Sequence, residues 1–99
     1  MKTFAEQVYA ITRKVPCGKV TTYKVIAEVL GTHAYRAVGQ ALNKNPYAPE
    51  VPCHRVVASD GSLGGFAHGR QKKIELLHEE NVFVKHGFVE NFEQVFYDF

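Results

Sequence analysis

No apolar run in this chain of 99 residues is long enough to cross a membrane, so no transmembrane helix and no membrane partner are expected. The opening stretch, Met1-Lys2-Thr3-Phe4-Ala5-Glu6, has no secretory h-region, and the expectation is an intracellular address, cytoplasmic in a prokaryote. Cysteine is scarce. Cys17 and Cys53 allow one disulfide arithmetically, but an intracellular chain argues for free thiols. There is no C-x-x-C pair and no H-E-x-x-H, so the usual ligand spacing of a structural zinc site is missing and no metal is expected. Repeats, low-complexity tracts and linkers are also absent, which leaves one small domain over residues 1–99.

What is present is ordinary globular material, with 45% hydrophobic and 22% charged residues. The net charge of +2 is small, but it is unevenly placed. Residues 1–49 hold seven Lys/Arg against two Asp/Glu, and residues 50–99 hold five against eight. A basic N-terminal half is suited to facing phosphates.

Thr3-Phe4-Ala5-Glu6 reads as a capping box that opens a helix. Phe4, Val8 and Ile11 follow at helical spacing and predict one inward face. The helix should end before Val15-Pro16-Cys17-Gly18, because Pro16 disfavours helix at the residue before it. Thr21 and Thr22 are candidate N-caps of a second helix with an apolar stripe of Val25, Ile26, Val29 and Leu30, stopped by Gly31. A third helix is predicted from about Ala34 to Leu42, with small residues Ala34, Ala37, Gly39 and Ala41 that permit close approach to another backbone. Two short helices joined around Gly31-Thr32-His33 have the form of a helix-turn-helix. Residues 43–52 contain three prolines and read as a stiff loop. His54-Arg55-Val56-Val57 is predicted as a short strand, Ser59-Asp60-Gly61-Ser62 as a tight turn, and residues 63–69 as a glycine-rich loop. A fourth helix spans about Arg70 to Glu80 with Ile74 and Leu77 inward. A hairpin follows from Val82 to Val89 around His86-Gly87, and the Phe-rich tail packs back on the core. The expected fold is therefore mainly α with a short β element, a single winged helix-turn-helix-like domain.

The segment that suggests chemistry is Val51-Pro52-Cys53-His54-Arg55-Val56. A free thiol with a pKa of about 8.5 is only slightly ionised near neutrality and needs an activating neighbour, for which His54 is the candidate. On an extended strand the two side chains would point to opposite faces, so a bend or a bridging water would be required between them. An inert buried cysteine beside a surface histidine remains the alternative on these two residues alone.

Pro52-Cys53-His54-Arg55-Val56 followed by Ser59-Asp60-Gly61-Ser62-Leu63-Gly64-Gly65-Phe66 resembles the active-site signature of the O6-alkylguanine-DNA alkyltransferases. Gly18-Lys19-Val20-Thr21-Thr22-Tyr23, Arg36-Ala37-Val38-Gly39-Gln40-Ala41-Leu42 and Asn45-Pro46 upstream are similar to that family, as is Lys73-Ile74-Glu75-Leu76-Leu77-His78-Glu79-Glu80 downstream. The resemblance runs in order along nearly the whole chain.

It implies a single-turnover DNA repair protein that moves an alkyl group from the O6 oxygen of guanine onto Cys53. His54 would take the thiol proton through water, Glu80 would support His54, and Asn45 would orient the backbone of the stiff loop. Arg36 on the recognition helix would fill the gap left by the extruded nucleotide, and Tyr23 would help rotate it and donate a hydrogen bond to the guanine. Thr22, Ala37, Gly39 and Gln40 complete the implied DNA-facing set. Leu63, Phe66, Ala67 and His68 would line the substrate pocket. The implied partner is double-stranded DNA containing alkylated guanine, read by a monomer with little sequence preference and no cofactor.

Three departures stand out. Only the family's C-terminal, catalytic and DNA-binding part is matched. Phe66 stands where the family often has Tyr, and His68 stands where it usually has Gly. The rival reading is a non-enzymatic, alkyltransferase-like lesion-binding protein, a group in which the cysteine is replaced, typically by Trp. Intact Cys53 argues against it. A sequence-specific regulator is a weaker rival, since Gln40 is nearly the only polar reader on Ala37-Val38-Gly39-Gln40-Ala41. Cys17 has no assigned role.

Overall fold

Thr3 makes the first helix possible. Its hydroxyl accepts from Glu6 N while the Glu6 carboxylate accepts from Thr3 N, so two otherwise orphaned donors are satisfied reciprocally. The computed structural model describes residues 2–47, 50–64 and 69–99. In it α1 spans Phe4–Thr12. Val8, Tyr9 and Thr12 are its buried residues, whereas Phe4 in the first turn is 36% exposed and Ile11 only half-buried. The inward face is thus rotated from the predicted Phe4–Val8–Ile11 stripe. The Tyr9 hydroxyl donates to the Ala41 carbonyl at 2.7 Å, and this bond turns that face toward the third helix.

α2 covers Tyr23–Val29 with Thr22 as N-cap, and α3 covers Tyr35–Asn43. The α2 stripe is likewise shifted. Ile26 and Ala27 are buried, while Val29 is exposed. Gly31, at φ +76°, turns the chain between the two helices, a backbone conformation that costs glycine little. The result is the expected helix-turn-helix, backed by α1.

Two small sheets position the rest. β1 (Thr21–Thr22) pairs in parallel with β2 (Val56–Val57), Thr21 opposite Val56 and Thr22 opposite Val57. β3 (Val84–Lys85) and β4 (Phe88–Val89) form an antiparallel hairpin. Its turn residues His86 and Gly87 both have positive φ, as a two-residue hairpin turn with the right twist demands. α4 runs Arg70–Glu79, and a one-turn helix, α5, spans Phe92–Val95. The tail then pairs with Val20: Val20 N donates to the Val95 carbonyl and Tyr97 N to the Val20 carbonyl. The chain end therefore packs back on the core, as expected.

β2 separates two hydrophobic clusters. Val56 enters the helical cluster with Val8, Ile26, Val38 and Val51. Val57 enters the second, with Val20, Leu63, Leu77, Val82 and Val89. Strand alternation sends these adjacent side chains to opposite sides of the seam. Cys53 belongs to the first cluster.

The fold is mainly helical with short β elements, as the pattern predicts. One local expectation is corrected. His54 and Arg55 are not strand. Cys53–Arg55 form a 3₁₀ turn after Pro52, closed by Arg55 N donating to the Pro52 carbonyl at 2.9 Å, and only Val56–Val57 are extended.

Candidate active site

The turn that carries Cys53 is held from both ends of the stiff loop. Asn45 is buried, its Nδ2 donates to the Val51 carbonyl at 2.9 Å, and its Oδ1 accepts from Tyr47 N at 2.8 Å. The same Val51 carbonyl accepts from Cys53 N at 2.8 Å. One asparagine therefore ties the start of the loop to the residue that orients Cys53. The Cys53 side chain is 5% exposed, reachable only by a group that enters the fold.

In a 3₁₀ turn successive residues are about 120° apart, so Cys53 and His54 do not point to opposite faces as they would on a strand. His54 is buried, and its Nε2 lies 3.1 Å from Glu80 Oε2 at the C-cap of α4. Burial is the main cause that lowers the His54 pKa from its ordinary value. The Glu80 contact opposes it, and the Arg55 and Lys73 cations add to it. The imidazole is consequently neutral near pH 7, the form that can accept a proton. For Glu80, burial works to raise the pKa but is outweighed by hydrogen bonds from Arg55 and His54, and the carboxyl stays below its usual value as an anion.

Tyr23 packs against the hydrophobic cluster that contains Cys53. Its ring packs between Gly39 of α3 and Gly64. A Cβ on Gly39 would meet the ring at 3.8 Å, and one on Gly64 would meet the hydroxyl at 2.9 Å. Burial, reinforced by proximity to Cys53, raises the Tyr23 pKa to about 12, so its hydroxyl keeps its proton and remains a donor at physiological pH.

Two residues that sequence reasoning passed over are built into the site. Lys73 is fully buried, and its Nζ donates to the carbonyls of Val56 at 2.7 Å and Leu63 at 2.6 Å. It also sits 5.9 Å from the Tyr23 ring centroid. Burial lowers its pKa to about 7, opposed by attraction to Cys53. Helical spacing held the signal, since Lys73, Leu77 and Glu80 fall at i, i+4 and i+7 on one face. Arg55, which stands in the Pro52–Val56 signature with no role assigned to it, grips Glu80 with two donors.

The predicted DNA-facing residues are less alike than their grouping suggests. Arg36 and Gln40 are exposed one turn apart on α3, while Ala37 and Gly39 are half-buried. Thr22 is buried, and its hydroxyl accepts from Val25 N as the cap of α2. An open groove of about 460 Å³ runs along Tyr23, Lys24 and Glu28, past Thr32, His33 and Tyr35, to Ala58 and Ser59. Cys53, His54 and Asn45 do not line it. Leu63 is buried at the base of the glycine-rich loop, whereas Phe66, Ala67 and His68 lie outside the described residues. Among the described residues, no cluster of His, Cys, Asp or Glu could hold a metal ion.

A helix-turn-helix set beside a buried thiol and a carboxylate–imidazole pair has the form of a DNA-binding fold. The chain belongs to the family described as 6-O-methylguanine DNA methyltransferase, DNA binding domain, whose model matches residues 3–82. It is 51% identical over 83 residues to the methylated-DNA–protein-cysteine methyltransferase of Metallosphaera sedula, covering 84% of this chain and 52% of that protein. The crystal structure of the O6-methylguanine-DNA methyltransferase of Pyrococcus kodakaraensis superposes with a TM-score of 0.75 at 43% identity, over 83% of this chain and 48% of that one. S. pombe Atl1, solved in complex with damaged DNA containing O6-carboxymethylguanine, superposes with a TM-score of 0.85 at 31% identity over 99% of both chains. The chain spans about half the length of the curated relatives it matches.

Proposed function

We propose that this protein repairs O6-alkylguanine in double-stranded DNA by moving the alkyl group irreversibly to Cys53. The observation that carries the reading is Cys53 itself. It is a free thiol in a turn fixed by Asn45, followed directly by a neutral imidazole that leans on Glu80. The Cys53 proton passes to His54 through water. The sulfur attacks the alkyl carbon, an S–C bond forms, and the O6–C bond breaks. The guanine leaves with the electron pair and takes up one proton, for which the un-ionised Tyr23 hydroxyl is a suitable donor. A thioether is not reduced by cellular thiols, so each molecule acts once.

A target base in a stacked duplex cannot reach a thiol this deeply buried, and extrusion is required. Arg36, exposed on α3, is suited to fill the vacated space, since its planar cation both stacks and hydrogen-bonds. Little sequence preference is expected of a protein acting as a monomer, and the site residues present call for no cofactor. The address proposed is intracellular.

The similarity to Atl1 along the whole of both chains favours a second reading, lesion binding without transfer. Intact-mass spectrometry after incubation with an O6-methylguanine duplex separates the two. Transfer predicts one methyl in place of the Cys53 thiol hydrogen, with unmodified guanine left in the DNA. An unchanged protein mass on duplex that remains bound would favour the second reading, and methylation of Cys17 would refute the assignment of Cys53.

A further inference from the structure

Arg55 touches no reacting atom in the transfer just described, yet it holds the group on which His54 leans. Its Nε donates to Glu80 Oε1 at 2.8 Å, its Nη2 to Glu80 Oε2 at 2.6 Å, and its Nη1 to the Val15 carbonyl at 2.8 Å. Glu80 Oε2 is also the oxygen that His54 Nε2 approaches. One carboxylate thus serves a permanent cation and an imidazole together, with 14% of its side chain exposed.

The chemistry of the pair alone would work against the mechanism. A carboxylate in hydrogen-bond contact favours the protonated imidazole, and an imidazolium has no lone pair with which to take the thiol proton. A guanidinium fork on the same carboxylate spreads its charge over two partners and adds a positive field at the ring. We propose that Arg55 is a positioning residue that shares Glu80 with His54, so that the relay orients the imidazole without storing a proton on it near neutral pH. The inference rests on the reading of His54 as acceptor of the Cys53 proton.

The groups that face His54 agree with this balance. Glu80 at the end of α4 favours the charged ring. Lys73, from the same helix, and Arg55, from His54's own turn, disfavour it, as does burial. Cys53 precedes it in the turn, and the exposed Cys17 thiol stands near the guanidinium on its outer side. A guanidinium that only braced the turn, with its charge screened from the ring, would leave the ring's titration alone. One that shares the carboxylate must move it.

The experiment has two readouts on wild type, Arg55→Gln and Arg55→Lys. The first is the NMR titration of the His54 ring. The second is the rate of methyl transfer from an O6-methylguanine duplex between about pH 5.5 and about pH 9. Arg55→Gln should shift the His54 titration upward and move the acid limb of the rate profile with it. That means roughly a tenfold loss near pH 6 and no more than about a twofold loss near pH 8.5. Arg55→Lys keeps the charge and should restore most of the acid limb. An unchanged or lowered titration in Arg55→Gln, or a rate loss equal at every pH, overturns the proposal. If Arg55→Gln does not fold alone, the comparison is made on Glu80→Gln, where the His54 titration of the double variant Glu80→Gln/Arg55→Gln should lie above that of the single variant, and equal titrations overturn the proposal. The NMR readout needs no turnover, so a wild-type protein that transfers no methyl at any pH would refute the function while leaving the role of Arg55 to be judged by titration.

Discussion

Replacing Lys73 by Met should change how stability depends on pH more than it changes stability at pH 7. Lys73 is fully buried, and its pKa lies at about 7 in the fold against 10.5 for an ordinary lysine. Between those values the unfolded chain carries a proton on this amine that the folded chain does not. Unfolding therefore takes up a proton, and stability rises with pH by up to about 1.4 kcal/mol per pH unit across the window. The full difference is worth at most about 5 kcal/mol, since the bonds to the Val56 and Leu63 carbonyls favour the charged amine and pull the other way. The sign is that of a base with a depressed pKa: stability is greatest above 10.5 and lost as pH falls to about 7.

Methionine removes the titration and also leaves both carbonyls without this donor, at about 1–3 kcal/mol each. These terms nearly cancel at pH 7. Between about pH 7 and about pH 9 the titration cost falls by up to about 3 kcal/mol, so the net loss on substitution grows as pH rises. Urea unfolding from about pH 7 to about pH 9 should give a wild-type curve that climbs more steeply than that of Lys73→Met. Parallel curves would refute the reasoning and mean that Lys73 stays charged in the fold.

Arg36→Ala should slow methyl transfer from duplex DNA far more than reaction with the free base O6-methylguanine, because Arg36 is exposed on α3 away from the thiol. Equal losses in a side-by-side rate assay would exclude a gap-filling role. Gly64→Ala should cost about 1–2 kcal/mol for its positive φ of +68° and displace the Tyr23 hydroxyl that its Cβ would meet at 2.9 Å. A thermal melt and a transfer rate both equal to wild type would show that Tyr23 is not pinned there. His54→Ala and Glu80→Gln should each slow transfer, and the double variant should be little worse than the poorer single one. Fully additive losses in the cycle would mean that the 3.1 Å contact is not used.

Local rules made the helical frame legible. The Thr3–Glu6 box, the Thr22 cap, the Gly31 stop and the His86-Gly87 turn are each written in residues no more than a few positions apart, and all form. The buried faces of α1 and α2 keep Val8 and Ile26 but are turned from the stripes that spacing predicts, because their burial is decided by contacts across the fold, such as Tyr9 to Ala41. The parallel pairing of Thr21-Thr22 with Val56-Val57 joins two-residue strands far apart in the chain and has no local signature. In the site, Cys53 and His54 were visible as reactive residue types, and the placing of Asn45 and Glu80 around them was legible only through family resemblance. Lys73 and Arg55 were missed for a common reason. A lysine or arginine beside other charges reads as solvated surface, and only the three-dimensional supply of carbonyl and carboxylate acceptors makes its burial affordable.

That supply of acceptors also bears on where precision in the site comes from. The turn that carries Cys53 packs against α4 but belongs to no long element itself. It is a single 3₁₀ turn between a proline-rich loop and a two-residue strand. Its position is set by bonds arriving from three directions: Asn45 through the Val51 carbonyl, the β1 pairing at Val56, and the Lys73 amine on the Val56 carbonyl. The same amine reaches the Leu63 carbonyl, so the Cys53 turn and the start of the glycine-rich loop are referred to one buried atom. Transfer to an alkyl carbon requires the sulfur in line behind the breaking bond, where an error of about 1 Å is costly. A nucleophile on a loop can meet that demand only if the loop is over-determined by its surroundings. Under the proposed function, this is why a catalytic turn carries so many polar side chains that never touch the substrate.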